Sequence, residues 1–422
     1  MVGLLQRDDF AFVDDPAQAD VIVVNTCSFI QPATEESVDT VLELAKHRTE
    51  GRAHKLVVTG CMVQRYGSAL ESELPEVDAF LGTGEYHRIS EVLKSRDKAA
   101  PKTHVDVPMY LPDEFAPRVH SWSQASAYLK ISEGCDHRCA FCIIPTLRGK
   151  LRSRTIPSLV AEARSLAEQG VVELNLVSQD STAYGKDLDN ADVGKLLGAL
   201  SEVDGIRWLR LHYAYPHGLP ASLLEQFATN PKVVRYLDIP LQHASGTMLK
   251  AMRRGVTTDG QRRILDRVRK AVPDIAIRTT FIVGFPGETE SDFQVLCDFL
   301  EEQRFDHVGV FTYFSEDGTP AGALEDSVPA KLKTQRQSEL MRRQKKISRS
   351  KLKSLVGTIQ PVLVEGLSEE TELLLRGRLP TQAPDVDGVV YLQNAPADVA
   401  VGQIRRVRIR RASDYDLVGE VL

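Results

Sequence analysis

From about residue 125 to residue 313 the sequence repeats one unit, a short run rich in β-branched and aromatic residues followed by a helical pattern. The runs are "AYLKISEG", "VVELNLVSQD", "IRWLRLHYAYP", "VVRYLDIPLQH", "IAIRTTFIVGFPGE" and "HVGVFTYF". Six strands with intervening helices predict a parallel (βα)6 barrel that closes only in part. In such barrels the chemistry collects at the carboxyl ends of the strands, on the βα loops. Polar residues fall at those places: Gln179 and Asp180, His212 and Tyr215, Gln242 and His243, and Glu288. Any one of them could merely close a strand. The whole set is harder to explain that way.

The barrel occupies part of a chain of 422 residues, too long for one ordinary core. Residues 1–95 read as a smaller βα sandwich. "ADVIVVNTC" and "KLVVTGC" are buried parallel strands, and "TEESVDTVLELAKHR" is a helix with Thr34 as its cap. Residues 96–124 lack periodicity and carry Pro101, Pro108, Pro112 and Pro117, so they read as a linker. The barrel is assigned to 125–353 and ends in a basic helical pattern from Lys331 to Leu355, which could form a solvated face. Residues 356–422 alternate like the short strands of a small antiparallel β-barrel, a common recognition module. The predicted class is therefore α/β, with a sandwich, a partial barrel and a small terminal β-barrel in that order.

Composition narrows the function classes. A hydrophobic fraction of 42% and a charged fraction of 26% are those of a soluble globular protein. No apolar run approaches the roughly 18 residues of a membrane span. The start, "MVGLLQRDDFAFVDD", is acidic and does not read as a signal peptide, so a cytoplasmic protein is expected. A net charge of −6 argues against a surface that coats nucleic acid. The terminal block from Val356 carries seven Arg and Lys against ten Asp and Glu, the reverse of most RNA-binding modules.

The six cysteines are too few for a disulfide scaffold in a chain this long. Cys135, Cys139 and Cys142 lie together in "EGCDHRCAFCIIP". A structural zinc site needs a fourth ligand, and Asp136 and His137 are confined to the same short loop. A ferredoxin pattern has different gaps and a later cysteine. A four-iron cluster held by three cysteines leaves one iron open to a small molecule. Radical chemistry with S-adenosylmethionine has that requirement, and it reaches unactivated carbons that side-chain acids and bases do not. Cys27 and Cys61 each follow a strand directly, where open parallel sheets bind ligands, although cysteine is also a common core residue. Cys297 falls on a helical pattern and reads as core.

"CDHRCAFC" on the first strand of a six-fold βα barrel resembles the radical S-adenosylmethionine superfamily. The resemblance implies that Cys135, Cys139 and Cys142 bind a [4Fe–4S] cluster and that Phe141 packs on the adenine. It also implies that Gln179, Asp180, Gln242, Gly284 and Glu288 lie on the cofactor side, the last two through "FIVGFPGET". Over nearly the whole chain the arrangement resembles the methylthiotransferases, with a terminal TRAM-like barrel. "CIIPTLRGKLRSR", "SQDSTAYG" and "PTQAPDVDGVVY" are closest to the RimO type.

That resemblance implies methylthiolation at the β-carbon of an aspartate in ribosomal protein S12. One S-adenosylmethionine would supply the methyl group and another the radical, with an external electron donor. The alternative is the MiaB type, which acts on an isopentenylated adenosine in tRNA and typically carries asparagine where this chain has Asp180. Nucleic acid is thus expected only as a secondary partner, a membrane not at all, and the chain is expected to act as a monomer. A non-enzymatic iron–sulfur or RNA-binding protein would have no need of the large barrel. The family holds a second, auxiliary [4Fe–4S] cluster with three cysteines. Here Cys27 and Cys61 match two of them, and no match to the first precedes them in this sequence. A misassigned or truncated start is the expectation, with loss of that ligand as the alternative, and sulfur insertion is expected to be impaired in the chain as it stands.

Overall fold

The computed structural model describes residues 1–95, 97, 100–120, 123–368 and 374–422. The chain forms two compact units that interleave in sequence. One comprises Met1–Val119, Glu133–Arg152 and Phe314–Ala323; the other comprises His120–Ser132, Ser153–Tyr313 and Leu324–Leu422.

The first unit is built on a parallel sheet of four strands in the order β1 (Val21–Thr26), β2 (Lys55–Gly60), β3 (Ala79–Leu81) and β4 (Thr103–His104). Both faces of the sheet are covered, which explains the near-continuous apolar runs. Leu56 and Val58 point to one side, with Ile22, Val24, Val41 and Met62. Val57 points to the other, with Leu4, Leu5, Leu81 and Ile89. The helix α1 (Val2–Arg7) contributes Leu4 and Leu5 to that second layer.

Two expectations change here. Thr103–His104 lies inside the expected linker yet pairs with β3, so that stretch completes the sheet. Residues 96, 98, 99, 121 and 122 of the same expected linker lie outside the described residues. Thr34 does not cap its helix. The helix α2 (Gln31–Ala45) starts three residues earlier, with Pro32 in its first turn, and Thr34 is a buried interior residue.

The second unit holds six parallel strands: β5 (Ser126–Lys130), β6 (Glu173–Val177), β7 (Trp208–Leu211), β8 (Val233–Asp238), β9 (Ala276–Val283) and β10 (His307–Thr312). They are ordered as in the sequence from β5 to β10, with β5 and β10 at the two edges. Leu174, Leu176, Leu209, Leu211, Ile277 and Phe281 join the main core with the covering helices. By strand alternation the intervening residues, such as Glu173, Asn175 and Arg210, face the opposite side, the barrel interior.

The basic helix α3 (Ala330–Ser354) is not a free surface. Leu340 and Ile347 enter the barrel core, and Lys333 and Arg336 are buried. After it, β11 (Ile359–Leu367), β12 (Leu375–Arg378), β13 (Val390–Gln393), β14 (Ile404–Ala412) and β15 (Leu417–Val421) close into a five-stranded barrel. It is antiparallel except for β13 and β15, which pair in parallel. A meander would make that pair antiparallel; here β14 intervenes in sequence and returns along β11. Among the described residues no helix is long and apolar enough to cross a membrane.

Candidate metal and cofactor site

All five candidate ligand cysteines belong to the first unit, because the loop Glu133–Arg152 packs with residues 1–119. The loop is tied across its base, where the Cys135 amide donates to the Gly149 carbonyl at 3.1 Å and the Leu151 amide donates to Asp136 Oδ1 at 3.2 Å. Asp136 therefore serves the loop itself. A tight turn follows, with the Cys142 amide bonded to the Cys139 carbonyl at 3.2 Å. Cys139 is buried, Cys135 and Cys142 are half-buried, and Phe141 is half-buried beside them. Among the described residues no three His, Cys, Asp or Glu side chains converge to hold a single metal ion. A cubane cluster does not ask for such convergence, since each thiolate binds its own iron. Three soft thiolate donors on one short loop fit that group in their chemistry.

Cys27 and Cys61 lie at adjacent strand ends, because β1 and β2 pair in register through Thr26 and Gly60. Gly60 has φ +108°, and a Cβ there would collide with the Thr26 carbonyl. Only glycine lets the second strand end so near the first. Cys27 is exposed and Cys61 is buried against Ile143 and Leu147. Leu147 and Arg148 lie on α4 (Ile144–Arg148), the short helix that follows the cysteine trio. Arg148 Nη2 donates to Cys61 Sγ at 3.3 Å, and its Nη1 lies 3.4 Å from Glu133 Oε2. Burial opposes the Arg148 charge, but Glu133, Cys61 and Cys27 outweigh it and raise its pKa. A cation thus stands beside the sulfur of one cysteine loop while belonging to the other.

Sequence reasoning missed Arg148 as a site residue, and missed Arg65 as well. Arg65 Nη1 donates to the Ser28 carbonyl at 3.0 Å and to Glu316 Oε2 at 2.9 Å. Glu316 Oε1 accepts from the Gln31 amide at 2.7 Å, so this buried pair braces the loop that carries Cys27. The signal for Arg65 was its place one turn after Cys61 on the helix Cys61–Tyr66.

The barrel candidates all lie in the second unit, at strand ends. Asp180 is buried, and its Oδ1 accepts from the Thr182 amide at 2.9 Å and from the Thr182 hydroxyl, which shapes the loop after β6. Gln179 and Gln242 are half-buried. Gln242 has φ +71°, and its backbone still bridges to β9, donating to the Thr280 carbonyl at 2.8 Å. His243 is fully buried, and its Nδ1 accepts from the amides of Ala244 and Ser245, both at 2.9 Å. Burial holds it neutral, its pKa lowered to about 3. It fixes the loop and leaves Gln242 as the residue at the strand end. Tyr215 donates to the Arg254 carbonyl at 2.8 Å.

Glu288 is held by its own loop and by α3. Its Oε2 accepts from the amides of Gly284 and Phe285, and its Oε1 from Arg336 Nη1 at 3.1 Å. Both oxygens are consumed, so the carboxylate braces the loop after β9. Gly284 has φ +74°, and a Cβ there would collide with the Lys333 side chain. That glycine is required by close packing of α3 on the loop. Cys297 is fully buried in the barrel core and burial pushes its thiol up to about 11, as befits an inert packing residue.

Three family models match this chain. Residues 129–300 match the radical SAM superfamily, residues 1–82 match an uncharacterized protein family, UPF0004, and residues 356–422 match the TRAM domain. A ribosomal protein uS12 methylthiotransferase RimO from Pelobacter propionicus is 48% identical over 100% of this chain and 94% of its own length. A protein of the same name from an Anaeromyxobacter strain is 52% identical over 100% of this chain and 89% of its own. Among solved structures, the radical S-adenosylmethionine methyltransferase TsrM from Kitasatospora setae has a similar fold, with TM-score 0.56 at 15% identity over 78% of each chain. The superfamily match carries with it a [4Fe–4S] cluster and S-adenosylmethionine as cofactors. Identity near one half along the entire chain places it in a family: it belongs to the RimO family of radical S-adenosylmethionine methylthiotransferases.

Proposed function

We propose that this chain methylthiolates the β-carbon of an aspartate in ribosomal protein uS12, in the cytoplasm, with an external electron donor. The observation that carries the target is the 48% and 52% identity, over 94% and 89% of their lengths, to proteins named for that substrate. Asp180, where the tRNA-modifying type typically has asparagine, supports the same reading, as does the acidic excess of the terminal barrel against a basic ribosomal protein.

Cys135, Cys139 and Cys142 would hold the [4Fe–4S] cluster, and Cys27 and Cys61 would serve a second, auxiliary cluster. When bound, the cluster and S-adenosylmethionine supply a 5′-deoxyadenosyl radical able to take hydrogen from an unactivated carbon. The protein's part is placement. The tied base of the loop fixes the trio, and half-burial of Phe141 leaves an aromatic face open to the adenine. Gln179 and Gln242 follow β6 and β8, with β7 between them, on the strand-end side of the sheet. Arg148 steadies the Cys61 thiolate by charge and hydrogen bond, as outer-sphere donors do for metal-bound sulfur. Gly60 keeps Cys61 close to Cys27.

Anaerobic reconstitution with iron and sulfide, followed by incubation with S-adenosylmethionine, reductant and either small ribosomal subunits or tRNA, tests the reading. A methylthio group on one uS12 aspartate is expected. Modification of tRNA alone would transfer the chain to the other substrate class.

A further inference from the structure

The three most exposed large apolar side chains among the described residues lie in one stretch. Val107 and Met109 are each 68% exposed and Phe115 is 81% exposed, with the exposed Val105 beside them. Single apolar residues on a surface need no explanation, but a contiguous row of them does. The row belongs to the proline-bearing stretch after β4, part of the expected linker.

This stretch is no slack tether, because its backbone is held at successive points. The Asp106 carbonyl accepts from Gln64 Nε2 at 3.1 Å, and Gln64 lies on the helix that Cys61 opens. The Thr83 amide donates to Gln64 Oε1 at 3.0 Å and its hydroxyl to the Leu147 carbonyl at 2.7 Å, which ties Gln64 to α4. Pro108 is buried against two glycines. A Cβ on Gly84 would come 2.9 Å from its Cα, and one on Gly149 3.5 Å from its carbonyl oxygen. Gly149 is the residue whose carbonyl receives the Cys135 amide. The Tyr110 ring stacks on His87, with centroids 4.6 Å apart, and meets Tyr86 edge-on at 4.9 Å. Further on, the Phe115 amide donates to Asp113 Oδ1 at 3.0 Å and turns the chain. All these residues belong to the first unit. The backbone is thus fixed beside both cysteine loops. Val105, Val107 and Met109 alternate with the bonded Asp106 and the buried Pro108, and stand outward.

Charge selects what covers the row. Asp106, Asp113 and Glu114 are exposed within it, and no Lys, Arg or His occurs from 105 to 117. A phosphate backbone would be repelled there. A second copy of the chain, docked through the same strip, would set carboxylates against carboxylates. A basic protein segment with apolar side chains of its own meets neither obstacle. We propose that residues 105–115 form a docking strip for the protein substrate, which lays a basic, apolar-bearing segment across it next to the cysteine loops. The inference rests on the protein-substrate reading given above and adds where that substrate is gripped.

The test uses the full-length reconstituted enzyme, with purified uS12, small ribosomal subunits and protein-free ribosomal RNA as probes. Val107→Ser with Met109→Ser removes apolar surface, and Asp113→Lys with Glu114→Lys reverses charge. Each position is exposed, so thermal midpoint and iron content should match wild type. The serine pair should weaken uS12 binding about tenfold and raise KM more than it lowers kcat. Val107→Ile with Met109→Leu should retain wild-type affinity. The lysine pair should weaken binding about fivefold at low salt and flatten its dependence on ionic strength. Wild-type affinity and KM in both the serine and lysine variants overturn the inference alone, as does a fall in kcat without a rise in KM. Equal weakening towards protein-free RNA overturns it in favour of nucleic acid. A wild-type dimer in light scattering that the serine pair makes monomeric overturns it in favour of a second copy. If the wild-type enzyme modifies neither uS12 nor intact small subunits, the substrate reading falls, and the inference with it.

Discussion

Four of the five candidate cysteines of the first unit sit on loops and the fifth, Cys61, opens a helix directly after a strand, whereas the charged side chains described on the barrel floor are each bound by a partner. Glu173 meets two arginines and Asp387 meets an arginine, a histidine and a tyrosine. Burial alone would raise the Glu173 carboxyl, but Arg378 and Arg210 bring it down to about 2. The strong shift of Glu173 thus belongs to a structural group, since a perturbed pKa marks an unusual environment and is not by itself a site. The cysteine loops supply soft sulfur donors, whereas the floor supplies carboxylates already bound by cations.

Breaking each region should therefore fail differently. Cys139→Ala or Cys142→Ala should abolish 5′-deoxyadenosine formation, read by chromatography, and should lower bound iron while the thermal midpoint of the iron-free protein stays near wild type. Arg378→Met should do the reverse. It takes one of two arginines from the buried Glu173 and the partner of Glu365 with it, and should cost about 3–5 kcal/mol in denaturant unfolding, with the iron content of reconstituted folded protein unchanged.

The same pair gives a pH dependence. Glu173 has its pKa lowered from 4.5 in the unfolded chain to about 2 in the fold, so its stabilisation is full above 4.5 and is lost as pH falls towards 2. It amounts to about 3 kcal/mol, and urea midpoints measured across that window should drop for wild type and flatten for Glu173→Gln. Gly284→Ala should cost about 1–3 kcal/mol, from strained φ and from displacement of Lys333, and chemical unfolding of the iron-free chain would show it. Cys297→Ala should have the smallest effect, about 1 kcal/mol, with iron content equal to wild type.

What the sequence made legible follows the range of the interactions. The cysteine trio, the strand ends and Gly284 are local patterns, readable within a dozen residues. The barrel floor was not readable, because Arg378 and Glu173 are 205 positions apart and nothing near either names the other. "PTQAPDVDGVVY" could be recognised as a signature without revealing that it fills the barrel. The partners of Glu288 are hidden for a related reason. Its motif marks the loop, but only Arg336, 48 positions later, shows that its carboxylate is already bound. Thr34 failed through competition between two starts, where Pro32 and the preceding extended Ile30 won.

The most direct test is the mass of uS12 from cells lacking the gene, from the same cells carrying wild-type enzyme, and from cells carrying Cys142→Ala. The account predicts one methylthio group, at one aspartate, present only with the wild-type enzyme. An identical uS12 mass in all three strains would contradict it.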